Sequence, residues 1–432
     1  MSTITGEQKK IPIKAIFGGI GGSVLEWYDF FLYGTAASLV FPHLFFPNMS
    51  NFAGLLLSYT TFAIAFLSRP FGSMIFARIG DRVGRKTTLI ITTALMGVGT
   101  ALMGILPGYE TIGYWAPILL TFLRLIQGIA LGGEWGGGML LVTESAPEHK
   151  RGFYGSLPQM GLPLGLLLGG IAFQLVNPNS ANFLTFGWRI PFLFTLVLVA
   201  IVLFFTRGLE DSEEFTETKE SEKLSEAPLK EVFLFHWRPL LKVMGTRIAE
   251  NASYYILTTY MLTYATTVLG YSKGSAINAT NVAAFITVFT IPFVGYLSDK
   301  IGKRIIYIFG SFGLAVFAFP YYYFMGSSQT GMFVMVAISL AVVWGAMYAV
   351  QGGLYSGMFP TEVRYTGMSF GYQTAGIVAG GPAPFIAAFL THQFNSFIPI
   401  ALYLVVIGVI SGISAILMKK EELTKAASKA AS

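Results

Sequence analysis

Gly80-Asp81-Arg82-Val83-Gly84-Arg85-Lys86 and Ser298-Asp299-Lys300-Ile301-Gly302-Lys303-Arg304 carry one pattern twice, 218 positions apart. Each copy reads Asp, base, apolar, Gly, base, base, and each joins two long apolar runs. A second pair keeps nearly the same offset: Pro147 stands four residues before Arg151, and Pro360 four before Arg364. Two motifs repeated in the same order indicate a duplicated unit.

The runs between these motifs define the fold class. The chain has 432 residues, 54% hydrophobic and only 12% charged, with mean hydropathy +0.63. A water-soluble domain of this length needs more charge to cover its surface. Runs of about 20 apolar residues suffice to cross a hydrocarbon core of ~30 Å. Twelve spans are predicted, at 15–40, 53–76, 88–106, 116–142, 153–176, 189–207, 240–268, 276–297, 304–325, 331–357, 367–390 and 397–418. The expected fold is an all-α membrane protein of twelve transmembrane helices in two pseudo-symmetric six-helix bundles. The halves are 1–207 and 236–418, joined by a polar, Glu-rich cytoplasmic linker at 208–235 and followed by a tail at 419–432.

Charge placement sets the orientation. With twelve spans both termini share a side, and 23 of the 28 Lys and Arg residues fall on it. Only Arg189 and Lys273 fall on the other side. The positive-inside rule therefore places both termini in the cytoplasm. The net charge of +6 is thus a membrane signal, and no nucleic-acid partner is expected. The polar N-terminus leads straight into a full-length span, so no removable signal peptide is expected.

Cysteine is absent and the four histidines are scattered, which excludes disulfides, thiolate metal sites and thiol nucleophiles. No phosphate-loop or hydrolase motif occurs. Neither an enzyme nor a metal site is expected. Duplicated helical bundles suit a carrier whose solute site lies at the repeat interface near the midplane.

Other segments resemble a known family. Span 1 carries Glu26-Trp27-Tyr28-Asp29-Phe30 with Tyr33-Gly34 after it, and span 2 carries Arg69-Pro70-Phe71-Gly72. Span 4 carries Arg124-Leu-Ile-Gln127-Gly128 and then Gly132-Gly133-Glu134-Trp135-Gly136-Gly137. Trp188-Arg189-Ile190-Pro191-Phe192 and Arg364-Tyr365-Thr366-Gly367 add to the set. With the repeated loop, these resemble the major facilitator superfamily and its metabolite:proton symporter branch, nearest the shikimate-type transporters. Ala77 stands where the loop motif usually has its first glycine, whereas Gly295 keeps it in the second copy. The resemblance covers essentially the whole chain. It implies proton-coupled uptake of a small organic acid by alternating access, with the proton as coupling ion and no other cofactor. It leaves open a zwitterionic osmolyte of the proline or betaine type. The tail lacks the long coiled coil of osmosensing members. A monomer in the cell membrane is expected.

A charge in hydrocarbon costs about 2.5–3.5 kcal/mol on insertion scales and marks function by default. Seven fall inside spans: Glu26, Asp29, Arg69, Arg124, Glu134, Arg247 and Glu250. Glu26, Asp29 and Tyr33 share a face of span 1. Arg247, Glu250 and Tyr254 repeat that spacing in span 7, 221 positions later. One half presents acid-acid-Tyr where the other presents Arg-acid-Tyr. This asymmetry suggests proton handling in the first half and anion binding in the second. The proton-coupling candidates are Glu26, Asp29, Arg124 and Glu134, with Arg124 expected to pair with a span 1 acid. Arg247 is the candidate for a substrate carboxylate, because guanidinium grips carboxylate in a fork. Glu250, Tyr33, Tyr254, Gln159, Gln351 and Gln373 complete the candidate binding set, and Tyr28 is a further hydroxyl donor. Arg69, near the predicted cytoplasmic end of span 2, is expected to pair structurally or snorkel.

The loop aspartates have a mechanical reading. An aspartate at the cytoplasmic end can face the positive N-terminus of a helix entering from that side. Asp81 is expected near the start of span 11 and Asp299 near the start of span 5. With Arg85, Arg151 and Arg364 they would latch the cytoplasmic side. Gly84 and Gly302 supply the turn freedom.

Overall fold

The apolar runs become helices whose few charges point inward. The computed structural model describes residues 13–83, 85–132, 148–206, 228–359 and 363–418, and every regular element among them is helical. The spans run Ile13–Leu39, Asn51–Val83, Arg85–Ile105 and Trp115–Leu131, then Arg151–Leu175 and Arg189–Thr206. After a short helix at Pro228–Phe235 come 237–268, Lys273–Ile301 and Lys303–Met325. Gln329–Ser356, 364–394 and Ile398–Ile416 complete the set. The helix at Pro228–Phe235 occupies the end of the predicted linker, whose remainder to residue 227 lies outside the described residues.

Eight of these helices are long and apolar enough to cross a membrane unaided, and spans 3 and 4 follow as shorter apolar helices. Spans 1 and 7 are in neither group. They carry four of the buried charged residues: Glu26, Asp29, Arg247 and Glu250. Their neighbours supply the lipid-facing surface, where Phe71, Leu175, Phe204 and Val316 are exposed.

Regular α-helix gives way to π turns in both halves, at Phe183–Gly187 ahead of span 6 in the first. Spans 7, 10 and 11 are interrupted by π turns at Ile256–Tyr260, Tyr264–Val268, Ser339–Trp344 and Gly376–Gly380. Such turns widen a helix by one residue and cluster at functional sites. The turn between spans 8 and 9 consists of Gly302 alone, at φ 106°. This left-handed backbone is open to glycine and strained for other residues. Its counterpart Gly84 lies outside the described residues.

The halves meet along a seam of spans 5 and 8. A Cβ on Gly152 would lie 2.3 Å from Ser298 Oγ and 2.7 Å from the Gly295 carbonyl, so only glycine permits this approach. Farther along, Gln174 donates to the Gly274 carbonyl at 2.6 Å. The seam is closed on the basic face, where the motif loops lie, and also on the opposite face. There Tyr59 OH and Thr263 Oγ1 are 2.6 Å apart, and Ser38 Oγ donates to the Thr259 carbonyl at 2.9 Å. The Phe52 and His392 rings stack at 3.6 Å.

Candidate functional site

Most of the candidate charges gather at mid-depth, but not in the predicted pairs. Span 1 splits its two acids. Asp29 turns into the first half, where it is wholly buried. Its Oδ1 accepts from Thr100 of span 3, and its Oδ2 accepts from Gln127 Nε2 at 2.7 Å. Gln127 Oε1 in turn accepts from Arg124 Nη1 at 2.9 Å. Arg124 was expected to pair with a span 1 acid, and the structure corrects this: an amide stands between them. The guanidinium lies instead on the faces of Tyr33 at 4.1 Å and Phe30 at 4.6 Å. A desolvated cation over an aromatic face gains up to about 2 kcal/mol, which offsets part of its burial cost.

Glu26 turns toward the second half. It is buried, and its carboxyl has Arg69 and Arg247 as charged neighbours. Among the described residues no hydrogen bond or ion pair fixes it. The shared face of Glu26, Asp29 and Tyr33 therefore divides three ways, since Tyr33 OH donates to Thr61 Oγ1 at 2.7 Å. Tyr28 donates to the Pro191 carbonyl at 2.9 Å and so ties span 1 to span 6.

In the second half Arg247 and Glu250 form a buried ion pair one turn apart on span 7. Arg247 also donates to Gln351 Oε1 at 3.2 Å and lies 3.5 Å from the centre of the Tyr372 ring. Trp344 Nε1 donates to the Glu250 carbonyl at 3.0 Å. Gln159 of span 5 crosses the halves and donates to the Tyr348 carbonyl at 3.1 Å. Gln373 is buried, and the Tyr254 hydroxyl is buried without a partner.

Arg69 does not snorkel, and among the described residues it forms no ion pair. It is 3% exposed and packs against the Phe30 ring at 4.8 Å and the Phe66 ring at 4.9 Å. Span 2 continues to Val83, 14 residues beyond Arg69, which puts the residue about 21 Å from the helix end. Aromatic residues missed by the sequence reading complete this tier. Tyr255 lies 5.4 Å from each of Phe30, Phe62 and Phe66. Phe31 meets Tyr254 at 5.4 Å, and Tyr254 meets Trp344 at 4.5 Å. Rings from both halves thus form a continuous layer through the charged cluster. A side chain at 3.6-residue spacing in an apolar helix gives no sign of which ring will face a guanidinium.

On the basic face Asp299 lies at the start of span 5. Its Oδ1 accepts from the Gly152 N–H at 2.7 Å and its Oδ2 from the Phe153 N–H at 2.9 Å. Lys303 Nζ is 3.7 Å from Oδ1. Arg151 opens the same helix and is partly buried. The side chains of Asp81, Arg85 and Arg364, and all of Glu134, lie outside the described residues.

Comparison with known proteins agrees with this architecture. Residues 21–384 match the Major Facilitator Superfamily. The chain is 40% identical to the shikimate transporter of Escherichia coli (strain K12), over 95% of both chains. It is 38% identical to the inner membrane metabolite transport protein YhjE of that organism, over 91% of this chain and 92% of the relative. A proline/betaine transporter of the same strain is 35% identical over 94% of this chain and 83% of its own length. Among solved structures, a D-xylose-proton symporter superposes with TM-score 0.74 at 18% identity, covering 95% of this chain and 98% of the other. At that identity the likeness establishes the fold alone.

Proposed function

Because the chain belongs to the major facilitator superfamily, and is therefore a multi-pass membrane transporter, we propose that it takes up a small organic acid together with a proton by alternating access. The observation that carries this reading is the midplane cluster. It holds a buried acid, Glu26, which has no hydrogen bond or ion pair among the described residues and has Arg69 of the first half and Arg247 of the second as charged neighbours. A carboxyl so placed can exchange a proton while the cations accept an anion, which is the minimum for coupling the two. Asp29 is the second proton candidate, with Gln127 and Arg124 as its reporters. The proton is the coupling ion, and a monomer contains the whole pathway.

Opposed contacts supply the gates. The Asp299 carboxylate caps the N–H groups at the start of span 5 and latches the basic face, where the helix end is positive. Hydroxyl contacts from Ser38 and Tyr59 and the Phe52–His392 stack close the other face. Breaking one set while keeping the other alternates access. The placement of Lys and Arg supports a cytoplasmic basic face with both termini there, in the cell membrane. The linker at 208–235 then joins halves 1–207 and 236–418 on that side.

Likeness to a proline/betaine transporter keeps a second substrate class in play, a zwitterionic osmolyte. Trp344, stacked on Tyr348 at 4.5 Å, could face its ammonium group. One experiment separates the readings: proteoliposome uptake with and without an inward proton gradient. The solutes are shikimate, 2-oxoglutarate, citrate, benzoate and proline. Acid uptake that rises with the gradient supports the first reading. Gradient-driven uptake of proline alone favours the second, and uptake indifferent to the gradient defeats proton symport.

A further inference from the structure

We propose that Arg69, rather than Arg247, receives the carboxylate of the substrate, in a site formed by Phe30, Phe66 and Tyr255. This inference rests on the organic-acid reading above and names the group that reads the acid.

Three arginines are buried at mid-depth, and they differ in what remains for a ligand. Arg247 is paired with Glu250 and donates to Gln351. Arg124 donates to Gln127 through Nη1 and keeps Nε and Nη2 without a partner. Arg69 makes no hydrogen bond or ion pair among the described residues, and its Nε and Nη2 are buried without a partner. A buried cation with empty donors is costly. The rings of Phe30 and Phe66, edge to face with centroids 5.3 Å apart, lie to one side of it, which leaves the N–H edge that bears the unpartnered Nε and Nη2. That edge is the part of guanidinium that grips a carboxylate through two parallel hydrogen bonds.

A second donor stands beside it. The Tyr255 hydroxyl is buried without a partner, and its ring packs at 5.4 Å against Phe30 and Phe66, the same two rings that Arg69 meets. Tyr255 belongs to span 7, whereas Arg69, Phe30 and Phe66 belong to spans 1 and 2, so an anion held by both would join the halves. Gly376 and Gly381 of span 11 close the far wall, where a Cβ on either would come within 3.2 Å of the Phe66 ring.

Glu26 links this site to the proton. Arg69 and Arg247 are its two cationic neighbours. While ionised, Glu26 competes with an incoming carboxylate for Arg69. Once protonated it ceases to compete. Anion binding at Arg69 and proton binding at Glu26 therefore assist each other, as linkage requires.

Equilibrium binding to purified full-length protein tests this even in variants that no longer transport. Shikimate, benzoate and 2-oxoglutarate are titrated by calorimetry, and the carboxamide of the tightest binder serves as a neutral probe. Wild type should prefer acid over amide. Arg69→Gln should weaken acid binding roughly thirtyfold or more and erase that preference, with amide affinity little changed. Arg69→Lys keeps the charge without the fork and should fall between. Melting temperatures of the unliganded proteins check that all variants fold. If Arg69→Gln retains the acid preference while Arg247→Gln loses it, the assignment to Arg69 is wrong and the organic-acid reading stands. If wild type binds none of the acids, both fail together.

Discussion

Gln127 Nε2 donates to Asp29 Oδ2 across 2.7 Å while Gln127 Oε1 accepts from Arg124, so one amide bridges the carboxylate and the guanidinium. An ionised carboxylate only accepts hydrogen bonds, and a protonated one must also donate. Protonated Asp29 would favour Gln127 turned by half a rotation, which aims NH2 at the Arg124 guanidinium and releases it. Gln127→Leu removes this messenger. Proton-driven uptake should fall about tenfold, the usual weight of a hydrogen bond to a charged group. Counterflow exchange, which needs no net proton movement, should fall far less. Equal losses in both assays would reduce Gln127 to a packing role.

Asp299→Asn keeps the shape of the latch but weakens its hold on Gly152 and Phe153, because a neutral amide accepts less strongly and interacts less with the helix end. Initial uptake rates should drop several-fold at equal membrane abundance. Uptake equal to wild type would show that the contact is a loop cap and nothing more.

The buried charged residues of the described midplane are Glu26, Asp29, Glu250, Arg69, Arg124 and Arg247, three acids and three bases. Adding one proton and one monoanion preserves that balance. Uptake of a monocarboxylate should therefore respond to a pH gradient and be nearly indifferent to an imposed membrane potential. A potassium-diffusion potential set with valinomycin measures this. Strong acceleration by an inside-negative potential would mean that extra positive charge crosses with each solute.

His43, in the short helix Phe41–Leu44 between spans 1 and 2, is only partly covered and is held below the ordinary histidine range by that partial burial and then by Lys273. As pH falls through about 6.5, the unfolded chain takes up a proton that the folded chain refuses. Stability is therefore lost on acidification and is fully present above that range. The melting temperature should decline between pH 7.5 and 5.5, and His43→Gln should decline less. Identical slopes would remove His43 as a contributor.

The sequence reading was strongest where hydrocarbon punishes exceptions. Apolar runs and charged turns located all twelve spans, and glycine at position 302 located one turn. Buried charges were visible because membrane helices rarely carry them. Their partners were not visible. Arg124 and Gln127 lie one helical turn apart, yet nothing local shows that the amide interposes. Arg69 was expected to pair or snorkel, but rings from spans 1 and 2 bury it, and nothing local marks those rings. Spans 7, 10 and 11 bend through π turns that no propensity marks, since contacts from other helices decide them.

On the proposed proton symport, the ring layer joining Phe30, Phe62, Phe66, Tyr254, Tyr255 and Trp344 has a second consequence, insulation. Water can string protons through a membrane wherever it forms an unbroken file. A midplane filled by aromatic edges interrupts that file. On that proposal solute must part the rings to pass, the ion gradient would be spent only when cargo moves with it, and an idle carrier would not short-circuit the membrane that energises it.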